Sequence, residues 1–97
     1  MVDFSATWCG PCEELEKTFG DDAAWSVLTD NFVPLKFDVS DGTDADMAMR
    51  NKYGAATLPA VVFLDTDGNV LARVRTEVGP SELVEIMAPA IAKLRQK

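Results

Sequence analysis

The chain has 97 residues, 47% of them hydrophobic and 26% charged, a balance that predicts one globular domain over residues 1–97. Its 16 acidic and 9 basic residues give a net charge of −7, which argues against nucleic acid and anionic membranes as partners, because phosphate binding requires clustered Lys and Arg. No apolar run approaches the ~20 residues of a membrane span, so we expect no membrane insertion by this segment.

A buried strand followed closely by a helix is predicted at the start of the chain. Residues 2–6 are apolar and β-prone, apart from the single acid Asp3. Pro11 stands where a helix would begin, a position at which the missing N–H of proline costs nothing. Residues 20–22 break this helix, and a second helical stretch follows. We expect three of its side chains to pack inward: Trp25, Leu28 and Phe32.

The middle of the chain predicts a strand and a short helix. Residues 33–39 alternate enough for a strand, with a proline near its beginning. Residues 46–53 predict a helix that ends before Gly54, which suits the position just after a helix. Its inward side chains are expected to be Met47 and either Met49 or Tyr53.

The last part of the chain predicts a hairpin and a long helix. Residues 61–64 form a continuous apolar run, Asp67-Gly68 is a strong turn signal, and residues 70–76 predict the returning strand. Pro80 suits the first position of the final helix, and Pro89 inside it predicts a kink. Its inward stripe is Leu83, Ile86, Met87, Ala90, Ile91 and Leu94. The basic residues expected to close it, in keeping with the helix dipole, are Lys93, Arg95 and Lys97. The predicted order is βαβαββα, an α/β fold.

The only two cysteines, Cys9 and Cys12, lie in one four-residue motif at the predicted join of strand and helix. Unpaired N–H groups and the positive end of the helix dipole stabilise a thiolate there, so the pKa of Cys9 should fall. Cys12 lies one turn further along the same face, within reach of Cys9, and Gly10 and Pro11 make the turn tight. We therefore expect Cys9 to be an exposed nucleophile and Cys12 a shielded resolving thiol.

Other interpretations of the cysteine pair carry less weight. A zinc site requires four Cys or His ligands, and the sequence has no second pair and no histidine. A structural disulfide closing so short a loop adds little stability. Coincidence remains open for an isolated CxxC, but a CxxC between a strand and a helix is typical of thioredoxin-like redox motifs.

Residues 2–4, Ala6 and the run Trp8-Cys9-Gly10-Pro11-Cys12 resemble the active-site strand and helix of the thioredoxin family, and Leu58-Pro59 resembles its cis-proline loop. The resemblance covers nearly the whole chain in element order. It implies the thioredoxin fold, a mixed central sheet flanked by helices. The first strand and helix usual in that family are missing from this sequence. What remains is the minimal fold, which is either sufficient by itself or a piece of a longer protein, as the abrupt start suggests.

The resemblance also implies roles for individual residues. Pro59 would be cis and face the cysteine pair, leaving the backbone near Leu58 free to bind a substrate strand, with Trp8 covering the site. Gly10 and Pro11 would belong to the same substrate-binding surface. Asp3 matches the family's buried acid, whose pKa would rise with burial so that it could take the proton of Cys12. Lys36 matches the lysine that partners this acid. An exposed Asp3 at a fraying terminus is the alternative.

Residues 14–19, the break at residues 20–22, and the strand at residues 33–39 with the loop after it are more similar to the C-terminal domain of the DsbD family of thiol:disulfide interchange proteins. That resemblance implies electrons supplied by a reductase or membrane donor, protein disulfides as substrates, and a place in the periplasm or elsewhere outside the cytoplasm. The cytoplasm is the alternative. We expect a monomer whose redox group is the Cys9–Cys12 disulfide, with no other cofactor.

These observations predict a dithiol reductase of protein disulfides. An oxidase or isomerase on the same fold is the first alternative. A peptide-binding or holdase module with incidental cysteines, and a metal-binding module, are the others.

Overall fold

The computed structural model describes residues 1–96, whose elements follow the predicted order with two separate helices between the first two strands. The strands are β1 (Val2–Ser5), β2 (Leu35–Asp38), β3 (Ala60–Leu64) and β4 (Val70–Val74). The helices are α1 (Gly10–Phe19), α2 (Asp22–Asn31), α3 (Asp44–Lys52) and α4 (Pro80–Leu94). The predicted break at residues 20–22 separates α1 from α2.

The strands form one mixed sheet in the order β2-β1-β3-β4. β1 is parallel to β2 and antiparallel to β3, and β3 and β4 form the predicted antiparallel hairpin. The register pairs Phe4 near the end of β1 with Ala60 at the start of β3, and Ser5 with Asp38 at the end of β2. Three segments distant in sequence therefore meet at one end of the sheet: the turn into α1, the residues before β3, and the loop after β2.

Side chains from the two faces of the sheet fill two cores, because successive residues of a strand point to opposite faces. Val61 and Phe63 of β3 belong to a core packed by α1, α2 and α4, together with Leu15, Leu28, Leu83 and Met87. Val62 belongs to the other core with Val2, Phe4, Val39, Ala55 and Ala60, against which Met49 and Tyr53 pack. The helical stripe predicted for α4 is thus confirmed as its inward face.

Capping side chains explain where the helices begin. Asp21 accepts a hydrogen bond from the Ala24 N–H at 2.9 Å and caps α2. Thr43 and Asp46 form a capping box, so α3 begins at Asp44, two residues before the predicted start. Gly54 follows the C-cap of α3 with φ +67°, a conformation that favours glycine.

Two residues predicted to pack inward do not do so. Trp25 remains 38% exposed because its ring packs edge-on against Phe19, with centroids 6.2 Å apart, at the margin of the core. Met47 is 42% exposed, because Met49 and Tyr53 occupy the inward face of α3. β2 is also shorter than predicted, and Val33 just before it is 84% exposed, since β2 lies at the edge of the sheet.

Pro89 lies within α4, on its exposed side, and the helix continues past it. The predicted closure of α4 by Lys97 lies outside the described residues. Within residues 1–96, no helix combines the length and the hydropathy needed to cross a bilayer.

Candidate active site

Cys9 and Cys12 form a disulfide at the N-terminus of α1, with Cα atoms 5.3 Å apart. Cys9 is the N-cap of this helix, and its Sγ accepts a hydrogen bond from the Cys12 N–H at 3.2 Å. The Cys9 N–H in turn donates to the Ala6 carbonyl at 3.2 Å, which fixes the turn between β1 and α1. Pro11 stands near the helix start, where its missing N–H leaves no intrahelical bond unmade. Cys9 therefore lies at the helix N-terminus, where the sequence places it, with a backbone N–H directed at its sulfur.

The predicted difference in exposure between the two cysteines is wrong for the disulfide form. Both residues are 5% exposed. They form a small cluster with Ala6, and Leu58 packs against it. Both sulfurs lie under this cover, so exposure does not distinguish a nucleophile from a resolving thiol.

Leu58 and Pro59 lie beside the cysteine pair because β3 begins next to the end of β1. The Leu58–Pro59 peptide bond is cis, as the resemblance implies, and Pro59 is buried. Leu58 is half-buried against the Ala6, Cys9 and Cys12 cluster. The backbone at residue 58 is thus brought to the disulfide by the sheet topology.

Trp8, Gly10 and Pro11 form an exposed rim next to the disulfide. Trp8 is 63% exposed, and its indole N–H donates to the Ser40 carbonyl at 3.1 Å. The Thr7 N–H donates to Ser40 Oγ at 2.8 Å. Trp8 is therefore tied to the loop after β2, and its ring face remains open to solvent.

Asp3 lies in the central strand and is 7% exposed, so the alternative of a frayed, exposed acid is excluded. Burial raises the pKa of Asp3 to about 6; the Lys36 charge opposes the rise and the Glu16 charge adds to it. With that pKa, most Asp3 carboxyls are ionised at pH 7 yet readily take a proton. This is the property required of a general base near neutrality.

Lys36 is paired with Asp3 in the register of β1 and β2, but its ammonium donates to Glu16 of α1. Lys36 thus acts on Asp3 through its charge, which lowers the pKa of Asp3, while its hydrogen bond goes to Glu16. The Glu16 contact is also the main reason that the pKa of Lys36 is raised. Asp3 is influenced by both charges without a hydrogen bond to either.

Glu16 was not singled out from the sequence, where it is one of several acids on the polar side of α1. The available signal is its spacing: it follows Cys12 by one helical turn and so shares its face. Two cavities have both Glu16 and Lys36 in their walls. One, of about 260 Å³, lies beside Cys12, and the other, of about 460 Å³, reaches Asp3. Among residues 1–96, no group of three or more His, Cys, Asp and Glu side chains could hold a metal ion.

The profile of the thioredoxin-like domain family matches residues 1–91. The thiol:disulfide interchange protein DsbD of Pseudoalteromonas atlantica is 34% identical over 73 residues, which cover 74% of this chain. The same match covers 12% of that relative, so the chain spans a small part of the length of the curated proteins it resembles.

Two solved structures extend the comparison. The oxidised C-terminal domain of Neisseria meningitidis DsbD superposes with a TM-score of 0.78 at 25% identity, over 87% of this chain and 72% of that one. A putative disulphide isomerase from Bacteroides thetaiotaomicron superposes with a TM-score of 0.70 at 34% identity, over 92% of this chain and 74% of that one. These neighbours confirm the fold that the sequence predicts.

Proposed function

The chain belongs to the thioredoxin-like domain family, and from that premise we propose that it is a thiol–disulfide oxidoreductase that reduces protein disulfides. The observation that carries the proposal is the position of the cysteine pair. Cys9 caps α1 and its sulfur already accepts the Cys12 N–H, so a thiolate formed there on reduction is stabilised. The redox-active group in this proposal is the cysteine pair itself.

The first step is attack of the Cys9 thiolate on one sulfur of a substrate disulfide. A bond forms between Cys9 Sγ and that sulfur, the substrate disulfide breaks, and the other substrate sulfur leaves as a thiolate that takes a proton from solvent. The exposed rim of Trp8, Gly10 and Pro11, together with the backbone at Leu58, is the surface that receives the substrate chain. These substrate-binding roles are part of the proposal.

The second step releases the reduced substrate. The Cys12 thiol gives its proton to the Asp3 carboxylate, and the resulting thiolate attacks Cys9 Sγ. The Cys9–Cys12 disulfide forms, and the second substrate sulfur leaves as a thiolate. Two electrons have passed from the cysteine pair to the substrate. Asp3 and Lys36 are assigned to this step, Asp3 as proton acceptor and Lys36 as the charge that opposes the rise in its pKa.

A dithiol donor must return two electrons to the pair for another cycle. We assign this role to an upstream reductase or membrane protein and place the domain outside the cytoplasm, because the resemblance to DsbD proteins implies both. Reducing intact cells with a membrane-impermeant phosphine and then labelling them with a membrane-impermeant maleimide tests the location. Reaction at Cys9 supports an extracytoplasmic domain, and labelling only after lysis places it in the cytoplasm.

The equilibrium reduction potential of the cysteine pair tests the direction of electron flow. Trp8 adjoins the pair, so its fluorescence in dithiol–disulfide buffers of defined potential reports the fraction reduced. A value near that of thioredoxin, about −270 mV, supports a reductase. A value between about −180 and −120 mV would contradict the proposed direction.

A disulfide isomerase is the second candidate, favoured by the 34% identity to the putative disulphide isomerase. An isomerase must form and break disulfides with comparable ease, so its potential lies closer to that of protein disulfide isomerase, about −180 mV. Recovery of activity by a scrambled, fully oxidised test protein without added reductant would favour this candidate. A reductase would instead consume the disulfides only when a donor is supplied.

A further inference from the structure

Two arginines hold the loop that leads to Leu58. The Arg50 guanidinium, from the last turn of α3, donates through Nε to the Ala55 carbonyl at 2.9 Å and through Nη2 to the Ala56 carbonyl at 2.7 Å. On the other side, Arg73 of β4 donates through Nη1 to the Tyr53 carbonyl. Three carbonyls of one short loop thus receive charged donors from two separate elements.

The backbone of the loop is shaped to admit Arg73. Gly54 has φ +67°, and a Cβ atom built on it would lie 3.2 Å from Arg73 Nη1. A larger residue at position 54 would both strain the backbone and press on the guanidinium. Arg73 itself is fixed by the pairing of β4 with β3, where it stands opposite Val62.

Both guanidinium groups donate hydrogen bonds to backbone carbonyls and pair with no carboxylate among the described residues. The chain has 16 acidic residues, yet neither Arg50 nor Arg73 forms a salt bridge within residues 1–96. The planar guanidinium presents parallel N–H groups, which suits the two consecutive carbonyls that Arg50 binds. A lysine at position 50 would offer one compact charge and could not reproduce this fork.

The held loop ends at the site of disulfide exchange. Leu58 follows it and packs against the cluster of Ala6, Cys9 and Cys12, and Pro59 leads directly into β3. We propose that Arg50 and Arg73 form an arginine clamp, a pair of positioning residues that fix residues 53–57 and thereby hold the Leu58 backbone ready for the extended chain of a protein substrate. The proposal rests on the proposed function and adds a specificity device to it.

The arginine clamp predicts that its loss slows the reduction of protein disulfides more than that of small disulfides. A protein substrate uses the backbone at Leu58, whereas a small disulfide without a peptide backbone needs only the cysteines. In Arg50→Met and Arg50→Lys, kcat/KM for insulin reduction should fall by about tenfold while the rate with hydroxyethyl disulfide changes by less than about twofold. Arg50→Lys keeps the charge and should fail to rescue insulin reduction. Arg73→Gln should act in the same direction.

Arg75 supplies the matched control. It follows β4, is exposed, and makes no side-chain hydrogen bond or salt bridge in the described part of the chain. Arg75→Met removes the same charge as Arg50→Met and should leave both rates unchanged. Equal losses for insulin and hydroxyethyl disulfide in the Arg50 variants would show a general structural defect and overturn the clamp, as would an unchanged insulin rate.

Hydrogen exchange tests the arginine clamp independently of any activity assay. The Ala55 N–H donates to the Arg50 carbonyl at 2.7 Å, and it should exchange about tenfold faster in Arg50→Lys than in the unmodified chain, with no change in Arg75→Met. If the unmodified chain does not reduce insulin, the proposed function is wrong. The arginine clamp is then tested by hydrogen exchange alone. Unchanged exchange of the Ala55 amide in Arg50→Lys would overturn the arginine clamp.

Discussion

The backbone N–H of Cys12 donates a hydrogen bond to Sγ of Cys9 across 3.2 Å, so one member of the active-site pair is also the N-cap of α1. The sulfur of this candidate active-site residue therefore belongs both to the local structure that starts the helix and to the proposed chemistry. A negative charge on that sulfur is stabilised by the donor that the helix start leaves free.

This relationship predicts a difference between two substitutions of Cys9. Under reducing conditions Cys9→Ser should be more stable than Cys9→Ala by about 1 kcal/mol, because serine can cap the helix and alanine cannot. Urea unfolding of both variants in the presence of excess dithiol measures the difference. Equal midpoints would show that the side chain at position 9 contributes nothing to the start of α1.

Cys12→Ser should accumulate mixed disulfides between Cys9 and substrate, because the resolving thiol is absent. Non-reducing electrophoresis followed by mass spectrometry of the trapped species identifies the linked cysteine. Cys9→Ser is the matched control and should trap little. Abundant trapping through Cys12 in that control would reverse the assigned roles, and full activity of the double serine variant would favour the peptide-binding alternative.

Asp3→Asn should stabilise the fold above about pH 6, because it removes a carboxylate whose charged form is destabilised by burial. A rise of the pKa from 3.8 to about 6 corresponds to at most about 3 kcal/mol, which partial solvent access reduces to about 1–2 kcal/mol. The native state binds the proton more tightly than the unfolded chain, so stability contributed by Asp3 is present below about pH 4 and is lost as the pH rises to about 6.

The measurement is the free energy of unfolding of the unmodified chain and Asp3→Asn at a series of pH values. The gain should vanish toward pH 4. The same substitution should slow the second exchange step about tenfold or more at pH 7, since the proton acceptor is gone. Unchanged release of substrate from the mixed disulfide would remove Asp3 from the proposed mechanism.

The two members of the Glu16–Lys36 ion pair should shift the pKa of Asp3 in opposite directions. Glu16→Gln should lower the pKa of Asp3, because a repelling charge is removed, and Lys36→Met should raise it, because an attracting charge is removed. Carbon-detected NMR titration of the Asp3 carboxyl measures both shifts. Glu14→Gln is the control, since Glu14 pairs with Lys17 on the exposed side of the same helix. Shifts of the same sign in the two variants would contradict this electrostatic account.

Much of the candidate site could be predicted from the sequence because it is local. The strand, the turn and the proline at the start of α1 lie within a dozen residues, and together they place Cys9 at a helix N-terminus. The cis bond at Pro59 and the burial of Asp3 required the resemblance to the thioredoxin family as well. A proline before an apolar run and an acid in a strand have commoner explanations when they are considered alone.

The hydrogen-bond partner of Lys36, Glu16, could not be predicted from the sequence in the same way. Register alone pairs Lys36 with Asp3, and the spacing along β2 contains no information about the distance to α1. The inward positions predicted for Trp25 and Met47 failed for a related reason. Periodicity identifies the apolar side of a helix, but neighbouring elements decide how much of that side is covered.

The sequence by itself determined the order of the elements, the helix that Cys9 caps and the hairpin of β3 and β4, because neighbours along the chain set backbone propensity, capping and turn geometry. Only the tertiary structure decided that both cysteines are equally buried and that Lys36 donates to Glu16. It also decided that Arg50 and Arg73 form hydrogen bonds with the loop before Leu58. Each of these depends on the distance between groups on different elements, which packing of the whole chain sets and local sequence does not.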